Sequence, residues 1–215
     1  MDIKTAVDRL SAQLPLKVRQ DRLSPALKTL HKYVLYSLVQ QGRPPSPEEL
    51  AQQLGKENIK DGLQQLASDD LIVLDAAGKN PLGAYPVTME QTPHKISVNG
   101  HAIHAMCALD AVSVAPLFDA AVLIESACHV SQTPIAINIQ GSEILQVSPS
   151  AEVIVGIRWQ QPTTVAAHSM CTEMVFLKDR RTAQEWQDDD SENISLFTLP
   201  EAVEFGKGFF LPLLD

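Results

Sequence analysis

The sequence contains no run of 18 uncharged apolar residues, so no segment of it reads as a membrane span. Its first residues, Met1-Asp-Ile-Lys-Thr5, lack the basic-then-apolar order of a secretory signal. Cysteine is scarce as well: three residues, an odd number too small for a disulfide framework. These absences together lead to the expectation of a cytoplasmic protein with reduced thiols. Positive charge is also in short supply, with 17 Lys and Arg against 26 Asp and Glu and a net charge of −9. That balance argues against any strong general affinity for nucleic acid or an anionic membrane. What is present is apolar material: 45% of 215 residues, enough to core one compact domain or two small ones.

Periodicity predicts a run of helices first. Ile3, Ala6, Val7 and Leu10 share a face of a helix over residues 1–13. Ser24-Pro25 opens a second helix that runs to about Gln41 and is stopped by Gly42-Arg43-Pro44-Pro45. Ser46-Pro47-Glu48-Glu49 supplies an N-cap, a proline at N1 and acids in the first turn, and Gly55 ends that helix. A fourth helix is expected at about 57–68, with Ile59, Leu63 and Leu66 inward. A strand at Leu71–Leu74, a turn at Gly78–Pro81 and a return strand at Tyr85–Thr88 follow. This order is that of a winged helix–turn–helix, which defines a module over residues 1–90. DNA reading is not expected of it: residues 1–80 hold eleven basic and ten acidic residues, and the candidate recognition helix offers Glu57, Lys60 and Asp61 without an arginine.

The second module, residues 91–215, carries most of the negative charge. Lys95–Val98 and His101–His104 flank Asn99-Gly100, a two-residue hairpin signal. Alternation then gives way to helical spacing through Leu109, Val112 and Leu117. Strands are expected at 121–126, 134–139, 151–158, 174–178 and 194–198, with a short helix near 182–188 and a final helix after Pro200. The fold class is therefore α+β: a winged-helix-like helical module followed by a mostly antiparallel sheet domain with flanking helices. Gln187–Glu192 is a solvated acidic loop.

Among chemistry-bearing residues, Cys107-Ala-Leu-Asp110 stands out. A thiol and a carboxylate three residues apart face the same way on a helix. A strand-to-helix turn at Cys107 would place the thiol at a helix N-terminus, where ionisation is eased. The alternative is a small buried hydrophobe, as most free cysteines are. Asp110 is either solvent-facing or, if it shares a pocket with the thiol, buried with a raised pKa. Cys171 can meet Cys107 only through the fold. His168 and Cys171, at i and i+3, have a spacing that suits a ligand pair, but chance is the better explanation of it. Cys128-His129 lacks any zinc-type spacing. His94, His101 and His104 are most simply strand-face residues.

Met106-Cys-Ala-Leu-Asp-Ala111, Ser169-Met-Cys-Thr172 and Thr182-Ala-Gln-Glu-Trp186 occur in that order, and with them the chain resembles the organomercurial (alkylmercury) lyases from about residue 25 to the last helix. The resemblance implies an enzyme that cleaves the carbon–mercury bond of alkyl- and arylmercury compounds by protonolysis, releasing hydrocarbon and Hg(II). It places the two thiolate roles on Cys107 and Cys171 and the proton-carrier role on Asp110. These three residues would also hold the mercury, which is substrate and product rather than cofactor. No resident cofactor is implied. External small thiols would release the product, and mercuric reductase would accept it. Soft Hg(II) and thiolate are matched ligand chemistry. The chain departs from the family pattern in having Thr172 after Cys171, where a second cysteine is frequent, and His104 and Met106 at aromatic positions. Cys128 matches a family cysteine implied to be structural. The sequence leaves two alternatives open: a winged-helix, thiol-based metal-responsive regulator, and a relative that binds soft metals without turnover. The lyase account requires the sulfurs of Cys107 and Cys171 to lie roughly 4–5 Å apart, as two thiolates on one metal must, with Asp110 at the same pocket.

Overall fold

The computed structural model describes residues 1–55 and 58–215. Five helices open the chain: α1 (Ile3–Gln13), α2 (Leu16–Asp21), α3 (Pro25–Gln41), α4 (Pro47–Leu54) and α5 (Ile59–Ser68). The starts of α1, α3 and α4 are set by side chains. Asp2, Ser24 and Ser46 each accept a hydrogen bond from a backbone N–H of the first turn, and Ser46 with Glu49 completes a capping box. The six-residue α2 was not expected, being too short to display a period. The start anticipated for α5, together with Glu57, lies outside the described residues.

The strand reading of residues 71–88 requires correction. β1 (Ile72–Leu74) pairs with β2 (Pro81–Ala84), so the return strand starts at the proline that had been assigned to the turn. Tyr85-Pro86 is itself a turn, and only Val87–Thr88 continues as β3. Proline has no N–H to donate to a ladder, which breaks the strand at this point. β3 then pairs with β5 (His101–Ala105), so one sheet runs continuously across residue 90. The hairpin of β4 (Lys95–Val98) with β5 forms as expected, with Asn99 and Gly100 at φ 51° and 79°. Two successive left-handed residues are what a tight hairpin turn of this kind requires.

β6 (Ala121–Ala127), β7 (Pro134–Gln140) and β8 (Glu143–Ser148) extend this sheet to eight strands in the order β1-β2-β3-β5-β4-β6-β7-β8. β8 was missed: it is an edge strand, largely exposed along its length, with no buried face to impose alternation. A second, separate sheet has the order β10-β9-β11, built from β9 (Ile154–Arg158), β10 (Met174–Leu177) and β11 (Ile194–Thr198). The strand expected from residue 151 thus begins at Ile154, and the single sheet anticipated is two, with all pairings antiparallel. α7 (Arg180–Asp188) and α8 (Leu199–Phe210) complete the chain. α8 begins one residue before Pro200, on a Thr198–Glu201 capping box.

The element that matters most is α6 (Ala108–Phe118). It packs against α8, β10 and the large sheet, and ten of its eleven residues are apolar or small. A helix apolar all round is a buried helix. Gly206 of α8 allows the close approach: a Cβ there would lie 1.8 Å from Ser113 Oγ. Leu109, Val112 and Val114 are fully buried, each contributing about 1.5–3 kcal/mol by leaving water. The one carboxylate in this helix, Asp110, is buried with them. Among the described residues, no helix is long and apolar enough to cross a membrane.

Candidate active site

β5 delivers the chain to Cys107, which is extended (φ −153°) and serves as the N-cap of α6. Its sulfur accepts the Asp110 N–H at 3.3 Å, a bond that ties thiol and carboxylate into one turn. Cys171 arrives from the other side. It sits in two consecutive 3₁₀ turns, Ala166–His168 and Met170–Glu173, that lead into β10. The fold brings the two together. Cys107 Sγ, Cys171 Sγ and an Asp110 carboxylate oxygen all lie within 4.8 Å of one another. The Cys171 thiol donates toward Asp110 Oδ2 at 3.9 Å. The three residues are 1%, 4% and 2% exposed for Cys107, Cys171 and Asp110 respectively. A fourth polarisable group was missed by sequence reasoning: the Met174 thioether, which accepts the Cys107 thiol at 3.6 Å.

Burial governs the electrostatics. It raises the Asp110 carboxyl to about 7, against the opposing hydrogen bonds from both thiols, so the group can hold or yield a proton near neutrality. The expectation that the helix N-terminus would ease ionisation of Cys107 is overturned. Burial, the hydrogen bond to Cys171 and the Asp110 charge push its pKa well up, and the single backbone N–H bond does not compensate. For Cys171 the hydrogen bond from Cys107 favours the thiolate, but burial together with the Asp110 and Asp70 charges still carries its pKa above the usual thiol value. Both thiols therefore rest protonated, and a soft metal bound here must displace their protons, for which the Asp110 carboxylate is an acceptor within the cluster.

A cavity of about 280 Å³ opens onto this cluster. Cys171, Met106, His94, Val175, Phe176 and Thr172 are among its lining residues, whereas Cys107 and Asp110 are not. That volume is at the small end for ligand pockets. His94, read from sequence as a strand-face residue, instead precedes β4 and lines the cavity. Its ring bonds Ser126 Oγ at 2.9 Å and meets Phe176 edge-on at 5.5 Å. Burial, reinforced by His104, lowers its pKa to about 4, so it presents a neutral face. His101 and His104 do lie on β5, and His104 is bonded to Thr92 rather than lining the cavity. Thr172 is at the cavity wall, so this departure from the family pattern alters the wall and not the cluster. The His168–Cys171 pairing does not form: His168 bonds Glu90 at 2.9 Å on the surface. Cys128 is buried and stands apart from the three-residue cluster.

Comparison with known proteins agrees with this geometry. The family model for alkylmercury lyases matches residues 87–211, which include all three clustered residues. An alkylmercury lyase of Bacillus cereus is 27% identical over 207 residues, covering 95% of this chain and 91% of that protein. One from Staphylococcus epidermidis is 28% identical over 175 residues, covering 80% of this chain and 78% of that protein. The crystal structure of the mercury-bound form of MerB2 shares the fold, with a TM-score of 0.77 at 20% identity over 93% of this chain and 98% of that one. Since the matched segment spans both the strand-to-helix turn bearing Cys107 and Asp110 and the 3₁₀ segment bearing Cys171, the chain belongs to the alkylmercury lyase family.

Proposed function

We propose that the protein cleaves the carbon–mercury bond of alkyl- and arylmercury compounds, with Cys107, Asp110 and Cys171 as its catalytic residues. The observation that carries this reading is the mutual approach, within 4.8 Å, of two thiols and a carboxyl whose pKa is near neutrality. An organomercury cation R–Hg⁺ enters by the cavity and meets Cys171, the cluster member that lines it. A Hg–S bond forms and the thiol proton leaves. Cys107 then gives mercury a second sulfur, and its proton passes to Asp110. Added coordination weakens the Hg–C bond. Asp110 delivers the proton to the departing carbon, so R–H forms as the Hg–C bond breaks and Hg(II) is left between two thiolates. Each R–Hg⁺ and two thiols thus give R–H, Hg(II) bis-thiolate and one released proton. Positioning and proton donation act together on the same step.

Mercury is substrate and product in this account, and no resident cofactor is invoked. External small thiols remove Hg(II) by exchange, with mercuric reductase as its acceptor, in a cytoplasmic setting. We further assign residues 1–90 to a winged-helix-like module without a nucleic-acid role and residues 91–215 to the catalytic α+β domain. The order α3, α4, α5 and the β1–β2 hairpin supports the first assignment, and its near-neutral charge supports the absence of DNA binding. The test is hydrocarbon release from an arylmercury salt by purified protein with excess thiol, followed by gas chromatography. Catalytic release is expected over many turnovers. Stoichiometric mercury uptake without hydrocarbon would replace the lyase with a non-catalytic mercury binder.

A further inference from the structure

Cys171 is carried on a weak piece of backbone. The Ala166–His168 and Met170–Glu173 turns are 3₁₀, each three or four residues long, and such turns have little stability of their own. The first N–H groups of any helical turn lack partners within it. Here they are met from outside. Ala166 N–H donates to Asp70 Oδ2 at 3.1 Å, and Ala167 N–H donates to Tyr85 Oη at 2.9 Å. The Tyr85 hydroxyl donates in turn to Asp70 Oδ1 at 3.1 Å, so both carboxylate oxygens are engaged. Arg19 closes the arrangement from behind: its Nη1 donates to Asp69 O at 3.2 Å and lies 3.6 Å from Asp70 Oδ2.

Both partners are fixed by the fold. Asp70 has φ 54°, the left-handed residue that ends α5, and Leu71 N–H returns to Leu66 O behind it. Tyr85 is 1% exposed, and a buried tyrosine keeps its ring in the core while its hydroxyl requires a partner. Burial, followed by the Cys171, Asp70 and Asp110 charges, raises the Tyr85 pKa far above its ordinary value, so the hydroxyl stays a neutral donor. Asp70 and Tyr85 both precede residue 87, where the family match begins.

We infer that the Asp70–Tyr85 pair is a positioning device, supplied by the segment before the matched region, which holds the 166–171 backbone so that Cys171 reaches Cys107 and Asp110. The hydrogen bonds of this pair run to the Ala166 and Ala167 N–H groups and between its two members; apart from the Asp70 charge that raises the Cys171 pKa, the pair acts through the backbone that bears Cys171. The inference rests on the lyase reading above, and its experiment separates the two. Without the anchor, Cys171 moves relative to a cluster whose other two members are fixed on α6. A displacement of about 1 Å in such a group can cost a hundredfold in rate.

The experiment compares wild type with Tyr85→Phe, Asp70→Ala and Asp70→Asn. Tyr85→Phe keeps the ring and deletes only the hydroxyl. We expect its kcat with an arylmercury salt to fall about 10- to 100-fold, with a weakened mercury–thiolate charge-transfer absorption when Hg(II) is added. Asp70→Asn retains an acceptor for Ala166 N–H and should fall between Asp70→Ala and wild type. In a Cys171→Ser background, Tyr85→Phe should weaken Hg(II) retention no further, because the group it positions is gone. Leu35→Ala, a core truncation in α3, serves as the control: it should lower the denaturation midpoint and leave kcat unchanged below that midpoint. Wild-type kcat and absorption in Tyr85→Phe would overturn the inference, as would an equal further loss of Hg(II) in the Cys171→Ser background. An inactive wild type would overturn the lyase reading instead, while the Hg(II) absorption and retention arms would still decide the positioning role.

Discussion

Asp110→Asn should retain Hg(II) but cleave organomercurials about 10²–10⁴-fold more slowly, the usual worth of a positioned proton carrier. The amide is nearly the same size, so α6 and both thiols stay in place. What is lost is the group that receives the thiol proton and returns it to carbon. The pH profile sharpens the expectation. With the Asp110 carboxyl at about 7, wild-type kcat/KM should rise through that pH as the carboxylate becomes free to accept a proton. Asp110→Asn should lack this limb. Stability follows the same titration with a definite sign. The folded pKa of about 7 lies above the unfolded value of about 3.9, so the folded state binds the extra proton between them. Stability from this group is fully present below about pH 4, declines as pH rises toward 7 and is level above it, a change on the order of 4 kcal/mol. Denaturant midpoints at pH 5.5 and 8 should therefore favour Asp110→Asn over wild type more strongly at pH 8. A wild-type rate in the variant would remove Asp110 from the mechanism.

Cys107→Ser and Cys171→Ser should each lose turnover by more than about 10³-fold, because the two thiolates act as a unit on one metal and neither alone completes the step. Their binding behaviour should differ. Cys171 lines the cavity and Cys107 does not. Cys107→Ser should still capture an arylmercury cation on Cys171, giving an intact-protein mass raised by one R–Hg group without hydrocarbon release. Cys171→Ser should capture it slowly or not at all. Serine is smaller than cysteine and the fold should persist in both, which circular dichroism checks. Equal capture by both variants would show that entry does not run through Cys171.

Much of this was legible in residues that act locally. Ser24, Ser46 and Asn99-Gly100 set caps and a turn through bonds spanning a few residues, and they sit where the sequence put them. Cys107 at the end of β5 and Asp110 one turn later follow the same logic. The approach of Cys171 depended on the family resemblance, since nothing local brings it to Cys107. The losses are physical too. β8 has no buried face to leave a pattern. The return strand expected at Tyr85–Thr88 is interrupted at Tyr85-Pro86, where proline has no N–H for the ladder. Ionisation of Cys107 was misjudged because helix position can be read from sequence and the degree of burial cannot; desolvation proved the larger influence. Asp70 and Ala166 are 96 positions apart, and no periodicity links them.

The central claim is that one mercury atom is shared by Cys107 and Cys171 beside Asp110. Mercury-edge X-ray absorption of the protein loaded with one equivalent of Hg(II) tests it most directly. The account predicts two thiolate sulfurs at bonding distance in wild type, one in Cys107→Ser and one in Cys171→Ser, and an unchanged pair in Cys128→Ser. A wild-type mercury bound by a single protein sulfur, or a pair that survives replacement of Cys107 or Cys171, would contradict it.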